Sequence, residues 1–352
     1  MRTGSRSRRL LAALAVAGLA LTACGGSSSE DDDVAAGPSA SGAPESGARV
    51  GLAYDVGGRG DRSFNDSAAA GLDKAKSELG VEAEELSPNA SGSDRGDNLR
   101  QLAEEGFDPV IAVGFAYAES LKAVATDFPD TTFLIVDDSS VQAPNVKALL
   151  FAEEQGSFLV GAAAALKSKT GSVGYIGGVE TPLLKKFEAG FIAGAKQVKP
   201  SIKTQSKYLS QPPDFSGFGS PDKGRETANG MYDAGADVIY AAAGGSGTGV
   251  FQAAVAKKGK AIGVDSDQYQ SAAAQLKPVI LTSMLKRVDV AVFESLQKIA
   301  DGTEVPAVTT FDLKSDGVGY ATSGGFVDDI KPQLDEFATR IESGAITVPS
   351  KP

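Results

Sequence analysis

From Arg49 onward the chain alternates two hydrophobic patterns. Short, continuous apolar runs suit strands buried on both faces. Between them lie longer stretches whose apolar residues recur every three or four positions, the spacing of one helix face. Residues 49–54 predict a strand, 64–79 a helix stopped by Gly80, and 81–86 a second strand. A helix around 98–105 closes at Gly106, followed by strand 109–115, helix 117–128 and strand 131–136. The rhythm continues through strand 146–151, helix 155–167, strand 172–176 and helix 183–196. Strand 238–243, helix 250–258, strands 261–264 and 279–284, and helix 288–299 complete it. This alternation predicts an α/β fold with parallel sheets covered on both faces. At 352 residues the chain exceeds one ordinary core, so two doubly wound lobes are expected.

The first residues follow a different pattern. Residues 1–9 are basic and 10–21 are apolar, a run too short for a permanent membrane span. It ends at Leu21-Thr22-Ala23-Cys24, which resembles the cleavage box of bacterial lipoproteins. The chain's one cysteine stands where that chemistry needs it, so 1–23 is read as a signal peptide and Cys24 as the lipid-attachment site. Ser7-Arg8-Arg9-Leu10-Leu11 also partly matches a twin-arginine signal, which leaves the export route open between the general and twin-arginine pathways. Apart from Cys24 and Val34, residues 24–47 are Gly, Ser, Asp, Glu, Ala and Pro with little to bury, a flexible tether reaching roughly 25–30 Å. The expected location is the outer face of a bacterial cell membrane, held by lipid.

Composition narrows the chemistry. Hydrophobic residues make up 42% and charged residues 22%, a globular balance rather than a disordered one. The chain has no His, no Trp and one Cys, which excludes Ser–His and Cys–His catalysis, intrachain disulfides and the common zinc sites. The net charge of −11 includes Arg2, Arg6, Arg8 and Arg9, so the body beyond them is more acidic still and a poor partner for nucleic-acid polymers.

In open α/β sheets, ligands gather beyond the carboxyl ends of strands. Asp55, Asp137 and Asp265 each follow a predicted strand, Lys286 comes just after Met284, and Gly244-Gly245-Ser246-Gly247 follows Ala243. Any one such Asp is ordinarily a helix cap or turn residue; three of them with a Lys and a Gly-rich loop point to a shared cleft. The loop is not a phosphate cradle of the P-loop kind, because no Gly-Lys-Ser/Thr follows, and three carboxylates against one Lys would repel phosphate. Its glycines either let backbone N–H groups approach a neutral polar ligand or simply permit a tight turn. Arg59-Gly60-Asp61 is short enough to arise by chance, and the bacterial type of lipoprotein signal makes the two Asn-x-Ser glycosylation triplets at Asn65 and Asn89 idle.

Asp55-Val56-Gly57-Gly58 with Asp61-Arg62-Ser63-Phe64-Asn65 and Gly71 resembles the opening motif of the basic membrane protein family, substrate-binding lipoproteins of bacterial ABC importers. The resemblance runs in order through Glu154, 157–161, 173–178, 190–194, 235–239, 243–247, 262–268 and 281–286. It implies the type I periplasmic-binding-protein fold, two Rossmann-like lobes joined by three crossovers. Lobe one is expected at 48–151 and 284–304, lobe two at 152–283 and 305–326, and a C-terminal helix and tail at 327–352, with Pro332, Leu334, Phe337 and Ile341 in the helix. The resemblance also implies a nucleoside held between the lobes. Phe64 would stack on the base, opposite Phe218 or alternatively Phe215. Asp137 or its neighbour Asp138 would accept from the base edge. Asp265 and Lys286 would hold the ribose hydroxyls, while Asp55, Asn65, Gly244 and Gly245 complete the lining.

The expected protein is thus a lipid-anchored substrate-binding protein of an ABC importer, binding a nucleoside, with a purine favoured, and performing no chemistry. No catalytic residue, metal or cofactor is expected. Its partners would be permease and ATPase subunits, and a monomer is expected. One alternative is the same fold binding a sugar or signal molecule as receptor or sensor. Another is a Rossmann-type nucleoside hydrolase, which would need a dense Asp cluster near the first strand; Asp55 and Asp61 are too widely separated to supply one.

Overall fold

The apolar runs become strands of two sheets in a computed structural model that describes residues 48–352. The signal peptide, Cys24 and the tether lie outside the described residues. The first half supplies β1 (Arg49–Ala53), β2 (Glu82–Leu86), β3 (Val110–Ala112), β4 (Phe133–Val136) and β5 (Val146–Phe151). The second supplies β6 (Ser172–Val179), β7 (Lys203–Ser210), β8 (Val238–Ala242), β9 (Lys260–Asp265) and β10 (Ile280–Lys286), with β11 (Val308–Phe311) and β12 (Val318–Tyr320) following. Sheet one has the order β11-β5-β4-β3-β1-β2, and sheet two β12-β10-β9-β8-β6-β7. All pairings are parallel except β10 with β12. β3, β4 and β8 are buried at every position, as strands covered on both faces must be.

The covering helices are α1 (Phe64–Leu79), α2 (Arg95–Glu104), α3 (Ala118–Asp127), α4 (Glu153–Lys167), α5 (Pro182–Val198), α6 (Pro221–Asp233), α7 (Gly247–Lys257), the single turn α8 (Gln268–Ser271), α9 (Val288–Ala300) and α10 (Lys331–Glu342). The Gly-containing stretches 157–161 and 190–194 lie where α4 and α5 cross. A Cβ on Gly161 would lie 2.1 Å from the Phe191 carbonyl oxygen, and one on Gly194 would lie 1.9 Å from that of Phe158. These glycines let two helices touch backbone to backbone. α10 lies across the outside of α4, with Phe337 edge-on to Phe158 at 5.7 Å and Leu334 fully buried.

The chain passes between the sheets three times, after β5, after β10 and after β11. This corrects two expected lobe boundaries. Residues 305–326 do not all join lobe two, because Val308–Phe311 extends sheet one alongside β5. The sheet-two strand β10 runs on to Lys286, so the second crossover falls after that residue rather than at 284. β7 and α6 carried no hydrophobic pattern to announce them. β7 is a half-exposed edge strand of sequence KTQSKYLS. α6 contains Gly224 and Gly230 and is held by close packing, since a Cβ on Gly224 would lie 2.4 Å from the Ser246 carbonyl oxygen. Among the described residues, no helix is long and apolar enough to cross a membrane.

Candidate ligand-binding cleft

The carboxyl ends of both parallel sheets face one another, and side chains from these ends line a cavity of about 570 Å³, part of it continuous with solvent. Lobe one contributes Asp55 just past β1, Asp61, Phe64 and Asn65 at the start of α1, Phe115, and Asp137 past β4. Lobe two contributes Leu183, Leu184 and Phe187 from α5, Phe218, Gly244, Asp265 and Lys286.

The loop before α1 is built around Asp61. Its carboxylate accepts from the backbone N–H groups of Ser63 (2.8 Å), Asn65 (2.9 Å) and Asp66 (3.1 Å), capping donors that a helix start leaves free. It also accepts from Asn65 Nδ2 at 3.1 Å, while Asn65 Oδ1 accepts from the Asp55 backbone N–H at 2.9 Å. Asn65 is therefore a buried clasp between β1 and α1, and it fixes Phe64 at the cavity wall. Asp55 is itself bound by Arg95 Nη2 at 2.7 Å, an ion pair that is 14% and 7% exposed. Burial raises the Asp55 carboxyl above its ordinary range, against the opposing pull of Arg95.

Asp137 and Asp265 share a backbone feature. Each ends its strand in the left-handed region, φ +71° and +64°, which Asp tolerates better than most residues. The turn stops the strand and aims the carboxylate into the cleft. Asp137 Oδ2 accepts from Lys286 Nζ at 2.5 Å, and the pair is 4% and 2% exposed. Asp137 Oδ1 is buried and has no hydrogen-bond partner among the described residues. The neighbouring Asp138 turns away instead and accepts from the backbone and hydroxyl of Ser140. Asp137, not Asp138, is thus the carboxylate of the cavity.

Lys286 is the hub. Besides Asp137, its ammonium lies 3.6 Å from Glu153 and 4.9 Å from the centre of the Phe64 ring. Burial alone would lower its pKa, but Asp137, Glu153 and Asp265 outweigh burial and hold it above the usual lysine value. Burial raises Glu153 to about 7 against Lys286 and Lys186, and Asp265 to about 6 against Lys286 and Ser63. The cleft thus carries surplus acceptor capacity around a single buried ammonium.

Phe218 packs against Gly178 of β6; a Cβ there would meet its Cδ1 at 2.4 Å, so the ring needs glycine at that position. Phe215 does not line the cavity. Its ring stands edge-on to Phe115 of the other lobe at 5.9 Å, with the Arg95 guanidinium 5.6 Å away. Gly244 lines the cavity in the left-handed conformation (φ +54°), but Gly245 does not line it, which corrects its expected place; it serves the turn into α7.

Asp55, Phe64, Asn65, Asp137, Phe218, Gly244, Asp265 and Lys286 are therefore brought together as the sequence led one to expect. Sequence reasoning missed Glu153, Arg95 and the wall of Leu183, Leu184 and Phe187. Glu153 was discoverable, since it follows the end of β5 as Asp137 follows β4. The α5 residues read as ordinary core, because spacing alone cannot tell which stretch of an apolar helix face meets a cleft.

Residues 48–352 match the family described as ABC transporter substrate-binding protein, PnrA-like. The chain is 34% identical over 361 residues to the CD4+ T-cell-stimulating antigen of Listeria innocua, covering 97% of this chain and 98% of that protein. It is 33% identical over 362 residues to the ABC transporter nucleoside-binding protein BmpA of Lactococcus lactis, covering 98% and 99%. Among solved structures, an ABC transporter solute-binding protein of Aeropyrum pernix superposes with a TM-score of 0.74 at 27% identity, over 86% of this chain and 93% of the other. Two parallel-rich six-stranded sheets with three crossovers are the type I periplasmic-binding-protein fold.

Proposed function

This chain belongs to the PnrA-like family of ABC transporter substrate-binding proteins, transport receptors rather than enzymes, and on that premise we propose that its ligand is a nucleoside, with a purine the better fit. The observation that carries this reading is the free Oδ1 of Asp137, a buried acceptor in a cavity whose apolar walls include Phe64, Phe187, Phe218, Leu183 and Leu184. Such a site calls for a flat, largely apolar group with an N–H donor on its edge, which a nucleobase is. In this reading Phe64 and Phe218 contact the base, Asp137 accepts from its edge, and Asp265 and Lys286 meet the ribose hydroxyls. Asp55, Asn65 and Gly244 complete the polar lining. The surplus of carboxylates disfavours a phosphate. The name of the Lactococcus lactis relative, a nucleoside-binding protein, supports the same class.

The receptor would act as a monomer, tied to the outer face of the membrane through lipid on Cys24, and would deliver its ligand to permease and ATPase subunits. Thermal unfolding with added ligands tests the ligand class. Inosine, guanosine or adenosine at a hundredfold excess over Kd should stabilise the protein by about 2.7 kcal/mol, and the corresponding monophosphates much less. Equal stabilisation by the monophosphates, or a response to hexoses alone, would remove the nucleoside assignment and favour another small ligand in the same cleft.

A further inference from the structure

One loop of lobe one is gripped by one segment of lobe two, and the grip includes a cavity carboxylate. Ser63, fully buried, donates from Oγ to Asp265 Oδ2 at 2.6 Å and lies 3.3 Å from the Val264 carbonyl oxygen. In return, Ser266 Oγ donates to the Ser63 carbonyl at 2.8 Å, and Gln268 Nε2 donates to the Arg62 carbonyl at 2.9 Å. Arg62 holds the left-handed conformation at φ +57°, which presents these two consecutive carbonyls to the opposite lobe. Nothing in this grip belongs to the three crossovers; it is a separate fastening between lobes.

The geometry points to Ser63 as a positioning residue for the binding site: its hydroxyl, reaching from one lobe to the other, orients Asp265 and keeps it an acceptor toward the ligand, so that one hydrogen bond serves both ligand affinity and the grip between the lobes. This rests on the reading of Asp265 as a ligand-contacting carboxylate. Oδ2 is engaged by Ser63, which leaves Oδ1 as acceptor capacity on a residue that lines the cavity. Without Ser63 the carboxylate would be free to turn, and a dry, crowded surrounding would favour its protonated form.

The groups facing Asp265 define how that shows. Lys286 of β10 favours the carboxylate. Asp61 of the loop before α1 and Asp137 past β4 oppose it, and the phenol of Tyr240 on β8 also senses its charge. Burial raises Asp265 to about 6, with Lys286 and the Ser63 hydrogen bond working against that rise. Loss of the serine donor therefore moves the titration upward, into the neutral range.

The test is calorimetry with inosine or guanosine as the probe, across pH 5–8, on wild type and Ser63→Ala, with circular dichroism to confirm the fold. Wild-type affinity should fall as the solution is acidified through about pH 6. Ser63→Ala should bind roughly 10- to 100-fold more weakly at pH 7.5, the weight of a hydrogen bond to a charged group. Its acid limb should move up by about one pH unit. Ser63→Cys keeps the shape with a weaker donor and should fall between the two; it carries the test if the alanine variant does not fold. Ser266→Ala removes part of the grip without touching Asp265 and should leave the acid limb in place. Wild-type binding with unchanged affinity and unchanged pH profile in the Ser63 variants would overturn the inference. Wild type that binds no nucleoside at any pH would instead overturn the reading on which it rests.

Discussion

Lys286 and Asp137, 149 positions apart in sequence, meet at 2.5 Å across the cleft, one from each lobe. The ammonium is shared with Glu153 and lies close enough to Asp265 to feel its charge. A buried cation that serves several carboxylates stabilises each of them less than a private partner would. Glu153 and Asp265 accordingly remain raised at about 7 and about 6 despite it.

That imbalance has a signature in stability. An acid whose folded pKa lies above its unfolded value of roughly 4 binds more protons in the folded state between those two values. Stability from these two groups should therefore fall as pH rises from about 4.5 to about 7 and level off above, with a slope of up to about 1.4 kcal/mol per pH unit for each group. Urea unfolding of the ligand-free protein at several pH values measures it. Glu153→Gln, which is neutral throughout, should flatten the upper part of the slope; an unaltered slope would mean that Glu153 is ionised across the whole range.

The two loop phenylalanines should separate cleanly in binding. Phe218→Ala removes a ring that lines the cavity and should cost about 1–3 kcal/mol, or roughly 5- to 150-fold in nucleoside affinity by calorimetry. Phe215→Ala loses only the contact with Phe115 and Arg95 and should cost less. The reverse order would place the base against the other ring.

Gly194→Ala tests the helix crossing. The new methyl would lie 1.9 Å from the Phe158 carbonyl oxygen, a backbone atom that cannot swing aside. α4 and α5 must then separate, at a cost of about 1–3 kcal/mol or more. Gly219→Ala, where a Cβ would meet nothing within 4 Å, is the control and should change the unfolding midpoint little.

The anchor is tested at Cys24. Cells expressing the wild-type chain should incorporate labelled palmitate into it and retain it in the membrane fraction, and Cys24→Ser should abolish both. Wild-type protein that takes up no label would make 24–47 a linker in a secreted protein.

Patterning alone made the α/β alternation legible because strands buried on both faces have no choice but continuous apolar runs, and their covering helices no choice but one apolar face. It was silent at β7, which as an edge strand has a half-exposed, polar sequence. It was silent too at α6, where glycines that lower helix propensity are the price of close packing. The path of the chain after α9 was misread for a related reason. A four-residue strand such as β11 fits either sheet by composition, and only its pairing with β5 assigns it to lobe one.

For the site, the strand-end rule was enough to point to Asp55, Asp137, Asp265 and Lys286, since each ends or closely follows its strand in sequence and therefore sits at the carboxyl edge of its sheet. Sequence could not say which of Asp137 and Asp138 faces the cleft. A positive φ at Asp137 reverses the alternation that an extended strand would have imposed, and backbone handedness at one Asp is not written in its identity. Nor could it show that Arg95 neutralises Asp55, that Glu153 stands beside Lys286, or that Ser63 reaches Asp265. Those relations join residues 40 to 202 positions apart. The Ser63–Asp265 contact exists only because two separately wound lobes are brought together, while Arg95–Asp55 and Glu153–Lys286 each join distant elements of one lobe; neither kind of contact leaves a periodic trace in the chain.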